Sequence, residues 1–78
     1  MYYVYLLENG SPEPQRYVGV TTDLKRRFAE HNAGKSPHTS KYKRLVTYVA
    51  FSDELKAASF ETYLKSGSGH AFAKRHLW

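Results

Sequence analysis

The sequence predicts an α+β domain: a small three-stranded antiparallel β-sheet flanked by helices, in the order β-β-α-β-α-α. Three observations carry this expectation. Tyr2-Tyr3-Val4-Tyr5-Leu6-Leu7 and Arg16-Tyr17-Val18-Gly19-Val20 flank a Gly/Pro segment, and tyrosine and valine suit a pleated, half-buried surface. Leu45 to Phe51 alternates in the manner of a third strand. Helix-start signals, Thr22-Asp23 and Ser52-Asp53-Glu54, follow the second and third runs directly.

The first strand runs from Tyr2 to Glu8 and is apolar on both faces, with Tyr3, Tyr5 and Leu7 on one and Tyr2, Val4 and Leu6 on the other. That pattern predicts a central strand covered on both sides. Asn9-Gly10-Ser11-Pro12-Glu13-Pro14 is a loop, because two prolines and a glycine break any ladder. In the hairpin we expect Tyr5 opposite Tyr17 and Gly19 opposite Tyr3, which puts both phenols on one face. A one-residue slip would separate them.

The first helix is expected from Thr22 to Asn32, with Thr22-Asp23 as cap and first-turn acid and Gly34 closing it. Leu24, Arg27, Phe28 and His31 share one stripe. Leu24 and Phe28 mark that stripe as packed on the sheet, so Arg27 should point toward the core and need a polar partner. Arg26 and Glu30 fall on the opposite face as solvated charges. Tyr5, Tyr17, Arg27 and His31 would then line one shallow pocket.

Lys35, His38, Lys41, Lys43 and Arg44 form a basic stretch suited to phosphate contacts. Tyr42 within it is either a base-stacking ring or a core plug. Along the helix after Ser52-Asp53-Glu54, Ala57, Glu61 and Leu64 fall at i, i+4, i+7, which sets Glu61 on or beside the buried stripe. Ser66-Gly67-Ser68-Gly69 is expected to end that helix. Phe72, Lys74, Arg75 and Trp78 belong to a short final helix, its aromatics closing the core and its cations facing solvent.

Seventy-eight residues make one domain, 1–78, with a modest core. The absence of cysteine excludes a disulfide scaffold and any thiolate metal site. His38, His70 and His76 lack metal-ligand spacing, which argues against zinc. No apolar run approaches the roughly 20 residues that span a bilayer. Met1 leads straight into strand sequence, so no signal peptide is expected and the cytoplasm is the expected location. A net charge of +5 and a pI of 9.6 suit a polyanionic partner, or simple solubility.

Tyr3-Val4-Tyr5, Tyr17-Val18-Gly19 and Thr21-x-Asp23-Leu24-x-x-Arg27-x-x-x-His31-Asn32 resemble the two signature tripeptides and first helix of the GIY-YIG nuclease superfamily. The resemblance continues through Gly34-Lys35, Thr39-x-x-Tyr42, Leu45 to Phe51 and Glu61-x-x-Leu64-Lys65, and is closest to the small stand-alone members. It implies single-metal hydrolysis of DNA phosphodiesters, on structured, branched or single-stranded substrates in repair or recombination. Arg27 would meet the phosphate, and Glu61 would hold Mg²⁺ or another divalent cation such as Mn²⁺. Tyr5 is the first candidate for proton acceptor, with Tyr17 and His31 positioning water. His31, with an ordinary pKa near 6.5, is its rival.

Two departures stand out. A further polar residue, often Asn, that larger relatives carry after the acidic helix has no counterpart here, and neither do their separate DNA-binding domains. The quieter readings are half-buried sheet tyrosines and an Arg27–Glu61 ion pair. They go with a non-catalytic nucleic-acid-binding module of the same fold, or with an accessory protein whose basic face meets an acidic partner.

Overall fold

A computed structural model describes residues 1–9, 15–32 and 44–78, without the side chains of 31 and 32. It contains β1 (Tyr2–Glu8), β2 (Arg16–Thr21), α1 (Leu24–Asn32), β3 (Arg44–Phe51), α2 (Glu54–Leu64) and α3 (Gly67–His76). The strands form one antiparallel sheet in the order β2-β1-β3. β1 is central because it is the strand with apolar side chains on both faces: Val4, Tyr5, Leu6 and Leu7 are all buried.

One face carries the main core. Val4 and Leu6 pack with Ala57 and Leu64 of α2 and Ala73 of α3, joined by half-buried Val18, Val20, Phe51, Phe60 and Phe72. Each fully buried aliphatic side chain contributes roughly 1.5–3 kcal/mol. On the other face, Leu24 and Phe28 of α1 line a groove with Tyr3, Leu45 and Tyr48, as the helical stripe predicts.

Four local expectations are corrected. First, the hairpin pairs Tyr5 with Gly19, Tyr3 with Thr21 and Leu7 with Tyr17, a register two residues away from the expected one. A shift of two preserves faces, so Tyr5 and Tyr17 still share a side, now as diagonal neighbours. Second, β3 does not alternate cleanly. The pairing jumps from Leu6–Thr47 to Leu7–Leu45, and this bulge turns Leu45 to the same face as Tyr48.

Third, α1 begins at Leu24 rather than Thr22. The Asp23 carboxylate accepts from the Arg26 N–H at 3.0 Å, and Thr21 Oγ1 accepts from the Asp23 N–H at 3.1 Å. Asp23 is therefore the cap and not a first-turn acid; Gly34 lies outside the described residues. Asp53 caps α2 in the same way, accepting from Leu55 and Lys56 N–H at 2.8 and 3.3 Å.

Fourth, the Ser/Gly run does more than end α2. The Ser66 hydroxyl accepts from the Gly69 N–H at 3.2 Å and donates to the Tyr63 carbonyl at 2.6 Å, so it caps α3 while holding the end of α2. Gly69 is buried against the Tyr63 carbonyl and Leu64 Cα, where a Cβ would find no room.

Candidate active site

Gly19 explains how the phenols meet. A Cβ built on Gly19 would lie 2.6 Å from both Cζ and Oη of Tyr5 and 3.0 Å from Cε1 of Tyr17. The Tyr5 ring therefore crosses over a backbone position that has no side chain. Its centroid is 6.1 Å from that of Tyr17, with the ring planes tilted by 47°.

Tyr5 is 2% exposed. Burial pushes its phenol well above the ordinary value near 10, and the neighbouring Tyr17 reinforces the shift both by its charge when ionised and by a hydrogen bond. The Arg27 guanidinium works in the opposite direction, and the Glu61 carboxylate adds to the rise. Two charges, one from α1 and one from α2, are thus felt at a single phenol. Arg27 does not outweigh the loss of water, so Tyr5 is a neutral hydrogen-bonding group near pH 7. It is not the pre-ionised base that a strong pull from Arg27 would have made.

A pH prediction follows. Above pH about 10 the unfolded chain releases a tyrosine proton that the native state retains at Tyr5. The contribution is fully present below that pH and is lost as pH rises toward the higher native value. Denaturant titrations at neutral and alkaline pH should show a steeper alkaline loss of stability in the wild type than in Tyr5→Phe. Parallel losses in the two proteins would refute the assignment.

Arg27 does not enter the core as its place in the stripe suggested. Its side chain is 47% exposed, with Nε 4.0 Å from Glu30 Oε1. Glu30, expected as a lone solvated charge, is its i+3 neighbour and partner, and the long aliphatic stem lets the guanidinium leave the apolar surface. Thr21, Thr22, Asp23, Arg26, Arg27 and Glu30 surround a polar recess of about 190 Å³ at the start of α1.

Glu61 keeps its expected place, beside the buried Ala57 and Leu64, and is 28% exposed. Its Oε2 lies 3.5 Å from Lys65 Nζ, one turn on. Among the described residues no ion pair joins Arg27 to Glu61, and no group of three potential ligands could cage a metal. A lone carboxylate fits Mg²⁺ or Mn²⁺ bound partly by water and substrate oxygens, not an all-protein cage.

Arg44 opens β3 opposite Glu8, and the two form an ion pair at 3.5 Å although the Arg44 side chain is 71% exposed. The side chain of His31, and Lys35, His38, Lys41, Tyr42 and Lys43, lie outside the described residues. Sequence reasoning missed Arg16, whose guanidinium lies 4.8 Å from the centroid of the Trp78 ring. Neither residue belongs to the motif that drew attention to the others.

This constellation, on a three-stranded sheet with helices to either side, defines a class. The GIY-YIG catalytic domain model matches residues 1–75, and the chain belongs to the GIY-YIG family. Its relatives include the UPF0213 proteins of Streptococcus pyogenes serotype M5 (strain Manfredo) and serotype M2 (strain MGAS10270). Each is 39% identical over 66 residues, covering 81% of this chain and 70% of the relative. No solved structure matches the chain.

Proposed function

We propose that this chain is a divalent-cation-dependent nuclease that hydrolyses DNA phosphodiesters at structured, branched or single-stranded sites, with repair or recombination as its setting. Membership of a nuclease family supports this reading. The observation that carries it is the packing of the Tyr5 phenol over Gly19 and beside Tyr17, where the Arg27 and Glu61 charges act on the phenol in opposite directions.

Arg27, half exposed, offers a planar fork to the scissile phosphate. Glu61 would hold Mg²⁺ or Mn²⁺, and such an ion supplies charge stabilisation at the phosphoryl group and the departing oxygen. Tyr5 and Tyr17 orient the attacking water through their hydroxyls. Because Tyr5 is held neutral by burial, we favour His31, one turn beyond Arg27, as the proton acceptor. We place the chain in the cytoplasm, with its substrate.

The test is incubation of the purified protein with duplex, branched and single-stranded DNA, with and without each cation. Cation-dependent products from at least one substrate are expected. Salt-sensitive retention of DNA with no products under any cation would replace this reading with that of a non-catalytic module.

A further inference from the structure

A second cavity, of about 420 Å³, lies between the edge strand β2 and helices α2 and α3. Its size falls within the range of sites for small organic ligands. Val18, Leu64 and Ala73 give it an apolar floor; Arg16, Lys65 and Lys74 are the cations on its wall. Among the described residues its lining includes no carboxylate side chain. Trp78, carrying the Arg16 guanidinium 4.8 Å from its ring centroid, completes the wall.

Arg16 rests on Trp78 and Lys65 reaches Glu61, yet the three cations together still give the cavity a positive rim that suits an anion. Together they match one chemistry. A base stacks on aromatic and guanidinium planes, while Lys and Arg take its phosphates. Position supplies the second argument. Tyr17 lines this cavity and also touches Tyr5, and Lys65 lines it while its Nζ lies 3.5 Å from Glu61. The cavity therefore opens beside the proposed cleavage centre.

We infer that this cavity holds one unpaired nucleotide of a DNA strand running past Tyr17 and Tyr5, its base against Trp78 and Arg16 and its phosphate against Lys65 and Lys74. The nucleotide is unpaired because a base inside a duplex stack cannot lie against the wall of a recess without leaving the stack. The inference rests on the nuclease reading for the strand's path, but binding itself requires neither metal nor turnover.

The chain contains one tryptophan, so fluorescence excited selectively at tryptophan reports on this cavity. Glu61→Gln protein in metal-free buffer is titrated with a short oligothymidylate, a hairpin duplex of matching length, and thymidine monophosphate. Saturable quenching by the oligothymidylate is expected, with weaker responses to the other two. Lys65→Ala and Lys74→Ala, checked for folding by circular dichroism, should each lower the slope of log affinity against log salt by about 0.7. Arg16→Ala should weaken binding about fivefold or more.

No quenching by the oligothymidylate, tighter binding of the duplex, or equal binding of the monophosphate would overturn the inference. So would unchanged salt slopes in both lysine variants. Cation-dependent cleavage by the wild type without quenching would overturn it while leaving the nuclease reading intact. Quenching without cleavage would support the cavity assignment and remove the nuclease reading.

Discussion

Glu61→Gln is expected to fold normally and to lower cation-dependent DNA cleavage by at least about 100-fold, the scale of losing one group that stabilises charge in a transition state. Glutamine keeps the shape of the side chain but replaces an anionic oxygen donor with a neutral amide. The Glu61 carboxylate acts on the Tyr5 phenol, and one carboxylate is the minimum for holding Mg²⁺ with water and substrate. The cost to stability should be small. The carboxylate is 28% exposed and its contact with Lys65 is a long 3.5 Å, and partly exposed pairs of this kind contribute about 0–1 kcal/mol.

Arg27→Lys makes a companion test of the proposed phosphate contact. It keeps the charge and loses the fork, so activity should fall substantially without vanishing. Single-turnover cleavage with saturating cation, alongside thermal melts, measures both effects. Wild-type rates in Glu61→Gln would place any catalysis elsewhere on the molecule.

The strands and their faces were legible because side-chain alternation reports directly on burial. Tyr2 to Leu7 has no polar side, and that alone put β1 in the middle of the sheet. The hairpin register was not legible. A two-residue slip leaves every side chain on its own face, so alternation cannot distinguish Tyr5 opposite Tyr17 from Tyr5 opposite Gly19. What selects the observed register is local volume: only Gly19 leaves space for the Tyr5 ring.

Helical spacing placed Glu61 correctly but misjudged Arg27. Position on a stripe fixes where Cα and Cβ point, and a long side chain can carry its charge away from that direction. The wall formed by Arg16 and Trp78 was invisible for another reason. Its members stand 4.8 Å apart in space, but one opens β2 and the other follows α3 in sequence, and no local pattern encodes that meeting. The seat of α3 on the end of α2 creates it.

That seat can be tested at two glycines of one helical turn. Gly69→Ala should destabilise the protein by more than about 3 kcal/mol, because its Cβ meets backbone, the Tyr63 carbonyl and Leu64 Cα, and backbone cannot rotate aside as a side chain can. For a domain of this length such a loss lowers Tm by more than about 10 °C. Gly67→Ala should do the reverse. Nothing lies within 4 Å of its Cβ position, and removing glycine's freedom from the unfolded chain stabilises by about 0.4–1 kcal/mol. Helix propensity would favour alanine at both sites, so opposite signs isolate the packing of α3 against α2. If Gly69→Ala melted with the wild type, α3 could not be seated on Tyr63 and Leu64 as described. Trp78, which follows α3, would then lose its place on the cavity wall beside Arg16.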